Sequence, residues 1–208
     1  MTRYKKDKVM TKLVRTLPVP VPAPSPKDDI YLALLDSIVG QQLSVKAADT
    51  IFARFLQLFK DGYPDVTRLK RLSEDKLRSA GLSAAKMTYV KAVADHHLKQ
   101  PITKNRLAKM TDAEIIAELT RIKGVGLWTV QMILMFPMDR PDVFAVGDLI
   151  IRRMMVHHYG VTETGAAQLR RLHEIAEGWA PQRTLACKYL WKSRALVIEK
   201  TEKPKKKA

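Results

Sequence analysis

Apolar residues recur three and four positions apart along most of this chain, and no stretch alternates long enough to mark a strand. The spacing predicts helices over 30–39 and 45–59, separated by the break Gly40-Gln-Gln-Leu-Ser44, where Ser44 is placed to cap the second helix. Further helices are expected over 74–80, 84–98, 111–121, 127–136, 148–159, 165–178 and 182–197. Thr111-Asp-Ala-Glu114 has the form of a capping box, which gives the helix leading into a glycine turn a defined start. No internal repeat is evident, and the class is all-α.

The two ends depart from this pattern. Within a basic, Pro-rich lead-in over 1–27, Leu17-Pro-Val-Pro-Val-Pro-Ala-Pro-Ser-Pro26 cannot build a helix, because alternate prolines remove backbone donors and push their predecessors to extended geometry. It is expected to be a stiff strap. Residues 199–208, ending Lys-Pro-Lys-Lys-Lys-Ala208, are expected to be a disordered basic tail. Between them, 28–198 is long enough to bury a real core, as one domain or as two small lobes.

Charge and cysteine narrow the chemistry. The formal net charge is +16; +6 lies in residues 1–27 and +3 in 199–208, which leaves +7 on the body. Such a body favours a polyanion, because each neutralised phosphate releases condensed counterions, although a basic surface that only aids solubility fits the charge equally well. The single Cys187 excludes an internal disulfide and the four thiolates of an iron-sulfur cluster, and is expected to be a buried, reduced thiol. No apolar run approaches the roughly 20 residues of a membrane span, and the first residues lack the apolar stretch of a secretory signal. The expected location is the cytoplasm, including a bacterial nucleoid, with no membrane partner.

Two features carry candidate chemistry. In Ile122-Lys-Gly-Val-Gly126 one helix ends, two glycines permit a tight reversal, and the next helix starts with its amides pointing outward. Amides at a helix N-terminus bind an anion through their own donors and the helix dipole, so a phosphate fits there without a base-specific contact. Gly-x-Gly alone is also an ordinary helix-helix turn; the apolar residue before Lys123-Gly124 and the Trp128-Thr129 that follows make the string more specific. Twenty positions beyond Trp128 stands Asp148, heading Leu-Ile-Ile-Arg-Arg153, where it suits both an N-cap and an isolated functional carboxylate. The adjacent pairs His96-His97 and His157-His158 face different ways on a helix, so neither makes a metal site.

Three separated blocks together resemble the helix-hairpin-helix DNA glycosylase superfamily, in the branch of bacterial 3-methyladenine DNA glycosylase II. They are Ile38-Val-Gly-Gln-Gln-Leu-Ser-Val45; Ile122-Lys-Gly-Val-Gly-Leu-Trp-Thr129 with Val146-Gly-Asp-Leu149; and Trp179-Ala-Pro-Gln-Arg183 with Tyr189-Leu-Trp191. The resemblance spans about residues 28–198 and implies two helical lobes with the hairpin and an active-site cleft between them. In that arrangement the two chain ends contribute to one lobe and the middle forms the other. An N-terminal β-rich domain found in a larger relative is expected to be absent, since about 27 residues precede the match.

The resemblance also implies roles. Asp148 matches the catalytic carboxylate. Trp128 stands where glycosylases with lyase activity carry a nucleophilic lysine; an indole cannot form a Schiff base but can stack on an extracted base. Gln41, Val45, Met132 and Trp191 match the base pocket. Lys123, Gly124, Val125, Gly126 and Thr129 fall on the DNA-gripping hairpin, while Gln42 stands where a relative inserts an apolar wedge, with Leu43 as a substitute. Met132 and Lys192 replace aromatic residues of that relative, so the pocket is expected to be less aromatic. The implied activity is monofunctional excision of alkylated purines such as 3-methyladenine or 7-methylguanine from double-stranded DNA, by a monomer that requires no cofactor. A monovalent cation on the hairpin carbonyls is compatible with the resemblance. A noncatalytic DNA-binding protein and a glycosylase for another damaged base remain open at this point.

Overall fold

The computed structural model describes residues 4–20 and 29–202, and side chains to 197. Every regular element among the described residues is a helix. Contacts divide the chain into two units, Pro24–Asp139 and Met1–Ala23 with Arg140–Ala208, so the two ends share one unit as the resemblance implies.

The middle unit is built around α2 (Ile30–Gly40), which packs against α3 (Val45–Gln57), α6 (Ala84–Lys99) and α9 (Leu127–Met135). Ile30, Leu34, Leu35, Ile38 and Val39 are fully buried on α2, which is why its sequence is nearly continuous in apolar residues. Tyr31 is buried as well, and its hydroxyl donates to Pro64 O at 3.0 Å, satisfying its one polar group. Four shorter helices, α4 (Val66–Arg71), α5 (Glu74–Ser79), α7 (Lys104–Leu107) and α8 (Asp112–Leu119), complete the unit.

The terminal unit joins α1 (Lys8–Thr16), α10 (Leu149–Tyr159), α11 (Gly165–Glu177) and α12 (Arg183–Glu202). The sequence analysis assigned no element to 8–16, yet Asp7 caps α1, and Met10 and Leu13 are buried. Asp7 Oδ2 also accepts from Tyr159 Oη at 2.6 Å and Trp179 Nε1 at 2.9 Å. Residues 17–20 follow α1 without helix; Lys192 Nζ donates to the carbonyls of Pro18 and Val19 at 3.2 Å each. Residues 21–26 of the strap and 203–208 of the tail lie outside the described residues. Helix α12 runs to Glu202, five residues beyond the expected end and into the segment expected to be disordered.

Candidate active site

Side-chain caps define where helices begin, and the hairpin is an exception. Of α1 to α11, only α9 and α11 start without a side-chain hydrogen bond to the cap. The expected capping box at Thr111 and Glu114 forms, and Ser44 Oγ accepts from Ala47 N–H. Helix α9 instead begins on Gly126, at φ −93° and ψ 170°. The reversal itself is made by Gly124, at φ +91°, so only one of the two glycines uses the left-handed region. A Cβ at Gly124 would lie 2.2 Å from Tyr89 Cγ, whereas one at Gly126 would meet nothing within 4 Å.

The other hairpin positions divide sharply. Lys123 is exposed, as are Leu127 and Trp128 on the first turn of α9. Val125 is buried and its N–H is bonded to Ile122 O at 3.0 Å. Thr129, expected to face DNA, is also buried: one residue past Trp128 the helix has turned inward, and only its backbone belongs to the first turn.

Gln41 ends α2, and its Nε2 donates to Gly124 O at 3.0 Å, tying the α2–α3 loop to the hairpin. Gln42 follows at φ +60°, a conformation rare for a side-chain-bearing residue, and presents its side chain to solvent beside the exposed Leu43 and Val45. Gln41, Gln42, Leu43, Val45 and Trp128 line one cavity of about 550 Å³, together with Asp36 and Asp49. The two carboxylates were not singled out in the sequence; Asp49 follows Val45 by four positions on α3, the helical spacing that marks one face. Met132 is half-buried and is not among the lining residues.

In the terminal unit, α12 holds the segment that delivers Asp148. Arg183 clamps Asp142 with Nε and Nη2, both at 2.7 Å. This guanidinium holds the Asp142 carboxyl below its ordinary range. Thr184 Oγ1 donates to Arg140 O at 2.6 Å and accepts from Val143 N–H at 3.0 Å. One turn on, Cys187 is buried, as expected, against Val143 O, and desolvation pushes its thiol up to about 12. Another turn on, Trp191 Nε1 donates to Asp148 Oδ1 at 3.0 Å. The same oxygen accepts from the N–H groups of Ile150 at 2.9 Å and Ile151 at 3.0 Å, so Asp148 is both the N-cap of α10 and a carboxylate fixed by three donors. The half-buried Trp191 therefore contacts the carboxylate through its indole N–H.

The histidine pairs take separate partners. His96 meets Glu118 at 3.0 Å, His97 Nδ1 accepts from Ile102 N–H at 3.2 Å, and His158 meets Ser193 Oγ at 2.9 Å. Among the described residues no three His, Cys, Asp or Glu are grouped to hold a metal ion. The hairpin carbonyls of Ile122 and Gly124 already accept from Val125 and Gln41, so a monovalent cation there would have to share them. No described helix is long and apolar enough to cross a membrane.

Residues 35–181 match the family of HhH-GPD superfamily base excision DNA repair proteins. DNA-3-methyladenine glycosylase 1 of Schizosaccharomyces pombe is 34% identical over 192 residues, which cover 86% of this chain and 79% of its own. The structure of the S. pombe 3-methyladenine DNA glycosylase in complex with abasic DNA superposes with a TM-score of 0.82 at 30% identity, covering 93% of this chain and 95% of that one. DNA-3-methyladenine glycosidase from Bacillus halodurans gives a TM-score of 0.80 at 33% identity, over 95% and 89% of the two chains. With its all-helical fold, its glycine hairpin and its capped aspartate, the chain belongs to the HhH-GPD superfamily of base excision DNA repair proteins.

Proposed function

We propose that this protein is a monofunctional DNA glycosylase that removes alkylated purines of the 3-methyladenine or 7-methylguanine type from double-stranded DNA. The observation that carries the reading is the cavity at the α2–α3 loop, which offers an indole and two carboxylates. A base alkylated at a ring nitrogen carries positive charge. Cation-π attraction to Trp128 would favour it by about 0.5–2 kcal/mol, and Asp36 and Asp49 add Coulombic attraction that a neutral purine does not receive. The relatives named as 3-methyladenine glycosylases, and the S. pombe structure on abasic DNA, support the same substrate class.

The chemistry follows from the charge on the leaving group. Such a base departs without protonation: the bond between C1′ and the base breaks, its electron pair neutralises the base, and the sugar is left cation-like. Asp148, oriented through Oδ1 by two amides and Trp191, stabilises that cation and takes the proton of the attacking water, whose oxygen forms the new bond to C1′. Hydrolysis leaves an intact strand with an abasic sugar. Trp128 cannot form the Schiff base through which a lysine would go on to break the strand. A DNA phosphate takes the first-turn amides of α9, where no side chain occupies the cap, and Lys123 adds charge beside it. No cofactor enters these steps, and a monomer holds all the residues they use.

The test is to incubate the protein with methylated duplex DNA and chromatograph what is released. Free 3-methyladenine and 7-methylguanine are expected, with strand scission only after alkali and no borohydride-trapped adduct. Binding without release would instead identify a noncatalytic clamp, and an efficiently trapped adduct would remove the monofunctional assignment.

A further inference from the structure

Helix α6 touches both pieces of backbone that frame the cavity. Lys86 Nζ donates to Val39 O at 2.7 Å, in the last turn of α2, where carbonyls lack intrahelical partners and the helix dipole favours a cation. Reaching this carbonyl strips part of the ammonium's hydration, which lowers the Lys86 pKa from its ordinary value. A lysine serving only solubility would avoid that cost.

Three positions along the same face, Tyr89 lies on the hairpin. Its ring occupies the space into which a Cβ at Gly124 would project, with Cγ, Cδ2 and Cβ at 2.2, 2.5 and 2.7 Å from it. Gly124 O in turn receives Gln41 Nε2. The contacts Val39 to Lys86, Tyr89 to Gly124 and Gly124 to Gln41 thus close a ring around the start of the α2–α3 loop. That loop contributes Gln41, Gln42 and Leu43 to the cavity, which Val45 at the start of α3 also lines, and holds Gln42 in its left-handed conformation.

Resting on the glycosylase reading above, we propose that Lys86 and Tyr89 are positioning residues for base excision, with α6 setting the α2–α3 loop in register with the hairpin. Neither residue lines the cavity or caps α9. Their effect passes through Gly40-Gln41-Gln42 and Gly124, so that pocket wall and phosphate grip are presented at a fixed spacing. Lys86 is the more specific of the two, because its role depends on donors at the end of a long stem rather than on bulk.

Lys86→Met keeps most of the stem and removes the donors, and Lys86→Arg restores a cationic donor. Hydrogen exchange in the free protein reads the loop directly, since the amides of Gln41 and Leu43 are bonded to Ile38 O and Gly40 O. In Lys86→Met, exchange at these two amides should rise about tenfold or more while core amides of α2 are unchanged. Melting should stay within about 2 °C of wild type and affinity for undamaged duplex within about twofold, while single-turnover base release falls about tenfold. Lys86→Arg should recover most of both losses. Wild-type loop exchange and wild-type release in Lys86→Met would overturn the proposal. So would exchange that rises uniformly with a fall in melting temperature, which marks a merely structural lysine. Should Lys86→Met not fold, Lys86→Gln, which keeps a shorter donor, is read by the same criteria. If wild-type protein released no base, the glycosylase reading would fail while loop exchange still decided whether Lys86 sets the loop.

Discussion

Gly124 and Gly126 stand two positions apart, and the fold asks different things of them. Gly124→Ala must place a methyl at φ +91° and into the Tyr89 ring, combining backbone strain with overpacking. The expected cost is about 3 kcal/mol, seen as a fall in melting temperature on the order of 10 °C. Gly126 is open and extended, and aspartate is among the preferred N-caps. Gly126→Asp should therefore melt no lower than wild type yet, on the proposed function, bind lesion and normal duplex alike at least about tenfold more weakly, because its carboxylate would take the amides proposed to hold a phosphate. A variant that folds and binds DNA normally would remove the hairpin from phosphate recognition. A charge argument of the same kind applies to Asp49. Asp49→Asn should lower kcat/KM for a cationic base about two- to fivefold and leave a neutral damaged base unchanged. An equal effect on both would show that the carboxylate does not select charge. The resemblance singled out Gln41, Val45 and Trp128, which the structure brings to one cavity, but the sequence did not show that Gly124 alone makes the reversal while Gly126 is open. It did not reach Thr129's burial or the two carboxylates, because these depend on which way α9 turns and on how α2 and α3 face one another.

Elements were legible where their period and caps were long enough to read. The helices over 30–57, 84–99, 112–119 and 149–159 follow apolar spacing and Asp, Ser or Thr caps, as at Ser44, Ser83 and Thr111. Helix α7, four residues long, gives too few turns for a period to register, and α4 was missed although α5, also six residues long, was expected. Helix α1 was hidden by the surrounding basic residues and prolines, although Asp7 with Met10 and Leu13 spells its cap and buried stripe. Glu118 illustrates what an element gains from a long-range partner. Arg106, reached across α7 and α8, holds its carboxyl below the ordinary glutamate range, with His96 assisting. The stability this provides is present above the unfolded value of about 4.3 and lost as pH falls through the lower folded one. Glu118→Gln should be less stable than wild type near neutrality, and the gap in denaturant midpoint should close as the solution is taken toward pH 3. A gap that persists in acid would mean that packing, not charge, makes the difference.

At the scale of the molecule, the residues used in the proposed chemistry fall in both units. The cavity and the start of α9 on Gly126 belong to the middle unit, and Asp148, with its α12 supports, belongs to the terminal one. A chain carrying +16 that grips phosphates should bind DNA with steep salt dependence, losing affinity on a log-log plot in proportion to the phosphates neutralised. The most direct test of the central claim is single-turnover release of 7-methylguanine and 3-methyladenine by wild type and Asp148→Asn, beside a duplex-binding titration and a melt. Asparagine keeps an oxygen for Ile150, Ile151 and Trp191, so folding and binding should survive, while loss of the negative charge costs about 3–4 kcal/mol, or about 10² to 10³ in rate. A folded, DNA-binding Asp148→Asn protein that releases both bases at the wild-type rate would reduce Asp148 to a helix cap and contradict the account.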